Sequence, residues 1–398
     1  MMLHTTRRGA LLLGLALVNL TLGECFLSPS AATGRWVRSS PVLKSEDEGG
    51  ALNERADVVR AMDILMGRGG GSGGGGGRGS WDVELCSPSK INLFLRIVRR
   101  RDDGYHDLAS LFQAISLSDK LCMSLLPADA EDDEFECDME GVPVDRTNLV
   151  LRAVDVFREN SGVERKFKIR LEKTVPAQAG LGGGSGNAAT ALWACNEVCA
   201  AAEDVEGFVA KTNDELLAMS TTLGSDATFF LSEGTAYCTG RGEVVTKLPP
   251  MLPAVREQPL YIVKPFVGLS TPEVFKALDL DSRSTKDPLN LLGLHTMNAD
   301  GDEKYVNDLQ PPAFSCLPDL ARLKDVLEST DADAGGVGFP VVSMSGSGTS
   351  IFCLGEPSTG EDQDSWAARL SEEGRFPWPI KVFKASFLNR KEGSWYEV

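Results

Sequence analysis

Apolar positions along the chain follow two rhythms. Phe167-Lys168-Ile169-Arg170-Leu171-Glu172 alternates apolar and charged residues, the period of a strand with one face buried. Ile91, Leu93 and Leu95 repeat that alternation, which sets Lys90 and Asn92 together on the opposite face. Leu260 to Val263, Ile351 to Leu354 and Ile380 to Phe383 read as further strands. Helical spacing replaces the alternation at Ala188, Ala189, Leu192 and Trp193, and again over Asp319 to Glu328. Ala51 to Met66 carries the pattern of one more short amphipathic helix.

Between the strand at 167–172 and the helix at 188 lies Gly180-Leu181-Gly182-Gly183-Gly184-Ser185-Gly186-Asn187. Five glycines in eight residues leave a backbone free to adopt positive φ. Strand, glycine loop and helix start let unpaired N–H groups converge on an anion, with the helix dipole adding attraction. The arrangement reads as a triphosphate cradle. A tight turn that lets a helix pack closely on a sheet would use the same residues. No Lys follows the glycines, so this is not a Walker A loop. In a dinucleotide-binding fold an acid about 20 residues on would meet a ribose; here that region, Ala200 to Glu206, leads into another helical pattern.

The 398 residues leave room for two or three domains. Gly67 to Ser80 holds ten glycines in fourteen positions and reads as a flexible tether reaching about 20 Å. The division expected is 1–45 presequence, 46–80 linker, 81–257 first domain and 258–398 second domain, the folded body starting at Trp81. Within it Asp129 to Glu140 is strongly acidic and is expected to be a solvated loop.

A net charge of −17 argues against a nucleic-acid binder, which would cluster basic residues. No apolar run reaches the 18 residues of a membrane span, so the mature form is expected to lie outside the membrane. Arg7 and Arg8, the apolar Gly9 to Leu22, and the small Gly23 and Cys25 before Phe26 have the layout of a secretory signal. Residues 26–45 are rich in Ser and Arg and contain no acid, the composition of a transit segment. Together they resemble the two-part address of plastids acquired by secondary endosymbiosis, which implies the stroma; a plain secreted protein is the alternative. Of nine Cys, eight lie beyond the presequence, none in a Cys-x-x-Cys pair, and with three His no zinc site is expected.

Four more stretches carry chemistry. Lys90 opens a strand and is either a solvated charge or a cation aimed at a ligand. Asp102-Asp103-Gly104-Tyr105-His106 is a turn followed by two rings, fit either for an ordinary hairpin or for stacking on a base. Gly224-Ser225-Asp226 sets an acid beside the apolar Phe229 and Phe230, where it could serve as a helix cap. Ser343 to Ser350 is a second small-residue loop, or simply a turn.

Taken together these stretches resemble the GHMP kinases, and among them the family that phosphorylates 4-diphosphocytidyl-2-C-methyl-D-erythritol. The resemblance covers about 81–390 and rests on residues 88–95, 103–108, 111–115, 180–185, 224–226, 238–243, 307–309 and 344–348. It implies an α+β, two-lobed fold, with an N-terminal lobe like ribosomal protein S5 and a ferredoxin-like C-terminal lobe. It implies transfer of phosphate from ATP, with Mg²⁺, to the 2-hydroxyl of a cytidine diphosphate alcohol in non-mevalonate isoprenoid synthesis. Asp226 would be the base and Lys90 its partner. Gly180 to Asn187 would hold the phosphates, with Asn148 and Lys173 toward the adenine. Asn92, Tyr105, His106 and Phe275 would line the acceptor site, Tyr105 and Phe275 sandwiching the cytosine. No acidic Mg²⁺ ligand stands out, and nothing in the pattern speaks to oligomeric state. Two positions depart from the family: Gly186 replaces a second Ser, removing a hydroxyl contact to phosphate, and Thr228 replaces a Pro after the acid, a change expected to loosen that loop. A mevalonate-type kinase and a catalytically silent nucleotide-binding protein are the competing readings.

Overall fold

The computed structural model describes residues 81–398. The presequence, the helix at 51–66 and the glycine tether lie outside the described residues. Two long antiparallel strands, β1 (Val83–Arg100) and β2 (His106–Leu125), form the spine of a six-stranded sheet. The other edge of β2 pairs twice: residues 108–113 with β5 (Thr235–Gly240) and 120–125 with β4 (Phe167–Glu172). The sheet ends in β3 (Glu134–Cys137), parallel to β4, and in β6 (Val244–Lys247), antiparallel to β5.

Alternation succeeds on β4, buried on one face and exposed on the other, but not on β1. Ser87 to Ile97 is buried without interruption, so Lys90 and Asn92 lie on the polar face yet away from solvent. The helix Gly183–Ala201 packs on β1 and β2, and the helix Leu149–Ser161 packs against it. The former is alanine-rich and buried on nearly every side, as expected of a helix with no polar stripe.

The acidic segment keeps most of its acids exposed, as expected of a solvated stretch, but it is not wholly a loop. It supplies β3, and the carboxylate of Asp133 is buried, paired with Arg158 and Arg146, and accepts from Phe167 N at 2.9 Å. Guanidinium groups and a strand amide from elsewhere in the chain neutralise a charge that local composition assigns to water.

A second, four-stranded antiparallel sheet holds β7 (Leu260–Pro265), β8 (Val341–Met344), β9 (Ile351–Leu354) and β10 (Ile380–Ala385) in the order β10-β7-β9-β8. The helices Pro318–Glu328 and Gln363–Leu370 bury Leu320, Leu323, Leu327, Trp366 and Leu370 against it. Numbered within this half the order is 4-1-3-2 with helical crossovers, the ferredoxin-like arrangement. The tail after β10 then returns to the first sheet. Leu388 N donates to Ala114 O at 2.8 Å, Trp395 Nε1 to Cys86 O at 2.7 Å, and Trp395 and Tyr396 join the first core.

Candidate functional site

A cavity of about 680 Å³ is lined by both halves. On its wall β1 presents Lys90, only 4% exposed. Three constraints fix this side chain. Its own N–H donates to Leu181 O at 2.8 Å. Its stem lies on Gly182, where a Cβ would come within 3.1 Å of the Lys90 Cγ and Cε. Its ammonium donates to Asn92 Oδ1 at 2.7 Å and sits 4.5 Å from the centre of the Phe112 ring. Asn92 is held in turn by Ser110 Oγ, at 2.8 Å from Nδ2. Asn92 thus orients the lysine while still lining the cavity.

Asp226 Oδ2 stands 3.4 Å from the Lys90 ammonium, and its side chain is 29% exposed. It precedes the short helix Ala227–Phe230, but makes no capping hydrogen bond. The carboxylate is therefore free to meet a ligand. The turn after β5 closes in beside it, with the Cβ site of Gly242 3.6 Å from Asp226 Oδ1. Thr228 is buried, and its hydroxyl accepts from Ser220 Oγ at 3.1 Å, tying the short helix to the helix Asn213–Ser220 before it.

The glycine loop is held from behind by Asp119, near the end of β2. Its carboxylate accepts from Thr174 N and Val175 N, both at 2.7 Å, from Asn187 Nδ2 at 2.8 Å and from the Lys173 ammonium. Asn187 Oδ1 accepts from Lys173 at 3.0 Å, and its amide also reaches Ser87 Oγ at 2.8 Å. Lys173 and Asn187 thus clamp both ends of the loop. Asn148 caps the helix Leu149–Ser161, accepting from Val150 N at 2.8 Å. Gly182, at φ 66°, leads into the helix, so Gly183, Gly184 and Ser185 form its first turn, where N–H groups lack helical partners. Gly186 has a packing reason: a Cβ there would come to 2.3 Å from Pro88 O. The family's serine has no room at this spacing of helix and strand.

The second small-residue loop meets the first. Ser345 Oγ donates to Gly180 O at 3.0 Å, and Ser350 N to Ala179 O at 3.2 Å. Asn307 steadies it by donating to Met344 O at 2.7 Å and Gly346 O at 2.9 Å. Gly346, Ser347 and Gly348 then line the cavity with Gly180 and Gly182.

At the far end, Phe275 lines the cavity and His106 stacks on it with centroids 5.2 Å apart. Burial, with Arg100 adding to it, holds the imidazole below its usual pKa. Tyr105 is exposed, its ring 5.0 Å from the Arg241 guanidinium. Among the described residues the ring that stacks on Phe275 is His106. Arg241 and Gln178 also line the cavity and escaped sequence reasoning. Arg241 sits inside the quoted 238–243 motif, and a charge between two turn glycines is the signal that could have found it. Asp119 left no signal, because its partners lie far along the chain. Among the described residues no cluster of three or more acids, His or Cys could hold a metal, and no helix is long and apolar enough to cross a membrane.

The model of the GHMP kinases N terminal domain matches residues 148–234. The chain is 44% identical over 319 residues to a chloroplastic 4-diphosphocytidyl-2-C-methyl-D-erythritol kinase of Arabidopsis thaliana, covering 79% of this chain and 76% of that protein. It is 40% identical over 318 residues to the kinase of the same name from Protochlamydia amoebophila, covering 80% and 94%. A crystal structure of 4-(cytidine 5'-diphospho)-2C-methyl-D-erythritol kinase superposes with a TM-score of 0.56 at 29% identity, covering 76% of this chain and 99% of that one.

Proposed function

Since the chain belongs to the 4-diphosphocytidyl-2-C-methyl-D-erythritol kinase family of GHMP kinases, we propose that it transfers the γ-phosphoryl group of ATP to the 2-hydroxyl of that cytidine diphosphate alcohol. The observation that carries the reading is the Lys90–Asp226 pair, 3.4 Å apart on a cavity walled by two glycine loops.

Phosphoryl transfer asks for in-line placement and stabilised charge more than for covalent chemistry. Asp226 accepts the hydroxyl proton as the new bond forms, since a carboxylate is too weak a base to ionise an alcohol beforehand. Lys90, desolvated and held by Asn92, pairs with that carboxylate and offsets charge on the moving phosphoryl group. The open N–H groups of the Gly183–Ser185 turn receive nucleotide phosphates. Asp119, Lys173 and Asn187 hold the loop in shape for this task, and Lys173 and Asn148 border the adenine end. Phe275, His106 and Tyr105 receive the cytosine. Arg241, beside Tyr105 on the cavity wall, meets the acceptor's diphosphate.

Mg²⁺ usually binds through nucleotide phosphates and one or two carboxylates, and Asp226 supplies one such group on the cavity. Bound there, the ion would neutralise phosphate charge. The lobes are taken as 81–257 and 258–398, with the tail from 386 onward packed back on the first, and the plastid is the compartment, as in the chloroplastic plant relatives. An ADP-release assay across candidate alcohols tests the function. Turnover with the cytidine diphosphate alcohol and not with mevalonate is expected; the reverse, or ATP binding without turnover, would sink it.

A further inference from the structure

Lys264, on β7, is 3% exposed and forms no ion pair among the described residues. Its ammonium donates to Val267 O at 2.8 Å and Thr349 Oγ1 at 2.5 Å, and that hydroxyl donates to Val267 O at 2.9 Å. Each anchor adjoins a glycine on the cavity wall, Gly268 after Val267 and Gly348 before Thr349. The lysine therefore ties together two loops that arrive from different strands, just behind the surface a ligand touches.

A buried cation without a carboxylate is costly and is rarely kept without a use. The loops packed on it, 266–270 and 345–350, carry no charged side chain. β10 sets another cation, Lys381, opposite it, and the helix Thr271–Lys276 contributes Glu273 to the cavity wall. Burial alone draws the Lys264 pKa down to about 8.

We propose that Lys264 is a positioning residue whose counter-charge is the phosphate-bearing acceptor, so that acceptor binding draws a proton onto it and sets the two loops. This rests on the kinase reading, which wild-type turnover establishes separately. Because linkage is reciprocal, an anion that favours the charged lysine must bind with proton uptake wherever the free lysine is partly neutral.

The experiment titrates the acceptor, without ATP, into the wild-type enzyme at pH 8 in two buffers of different ionisation heat. The acceptor's diphosphate ester has no group that titrates there. A buffer-dependent heat showing uptake is expected, and Lys264→Met should lose it, with kcat/KM down about tenfold, the size of one pKa unit of charge interaction. Equal heats in both buffers would overturn the proposal, as would a Met variant that keeps the uptake. Thr349→Val keeps the cation and drops one anchor; it should retain uptake and raise the acceptor KM. An unchanged KM in that folded variant would overturn the positioning claim.

Discussion

Two lysine–aspartate pairs flank the same glycine loop, and they are built for opposite ends. Lys173–Asp119 is closed to solvent, and its carboxylate is saturated by two backbone amides, an asparagine and the ammonium. Lys90–Asp226 places a buried, well-held cation against a carboxylate that accepts no hydrogen bond at its helix start and opens onto the cavity. A saturated acid organises the chain around it. An acid with spare lone pairs facing a cavity is placed to accept something that is not yet there.

The largest expected effect tests that contrast directly. Asp226→Asn should lower kcat by about a hundredfold or more at a smaller cost in Tm, because its carboxylate is partly exposed and the one charge it pairs with, Lys90, keeps Asn92 and the Phe112 ring. Near-normal turnover would remove the base. Asp119→Ala should do the reverse. It strands the Lys173 cation and two loop amides, at a cost of about 3–5 kcal/mol read by denaturant unfolding; a wild-type midpoint would show that the network does not hold the loop.

A smaller effect sharpens the comparison at the loop itself. Gly186→Ser restores the family residue, yet its Cβ would press on Pro88 O. A stability loss of about 1–3 kcal/mol with no gain in ATP affinity is expected; tighter ATP binding at full stability would mean the hydroxyl finds phosphate after all.

The last effect is nil at neutral pH and appears only in acid. His295 is buried among Phe94 and Tyr305, its Nε2 on Lys304 O at 3.0 Å and its Nδ1 without a partner. Burial draws its pKa from 6.5 down to about 3. The unfolded chain then binds the extra proton first, so stability is full above about pH 6.5 and is lost as pH falls toward 3. His295→Phe should flatten that limb of a stability–pH curve; an unaltered slope would assign acid sensitivity to other groups.

Much of this was legible in one dimension. The 167–172 alternation marked β4, residues 351–354 and the 319–328 rhythm marked a strand and a helix, and Lys90 met Asn92 as their shared strand face requires. What local reading missed shares a cause. Asp133 is taken from water because Arg146 and Arg158 lie beyond the acidic run, and Gly186 has a packing role because Pro88 approaches from another element.

Residue order by itself determined several of the elements, the glycine-rich loop between strand and helix and a set of side chains with the chemistry for phosphoryl transfer, since period and spacing are local properties of a chain. Only the folded chain decided which carboxylate is spent on structure and which is left open, which lysine has no anion, and that the tail at 386–396 closes the first core. Those outcomes depend on groups tens to hundreds of residues apart sharing one desolvated space, where a charge is stable only beside its partner, and no local pattern records who the partner is.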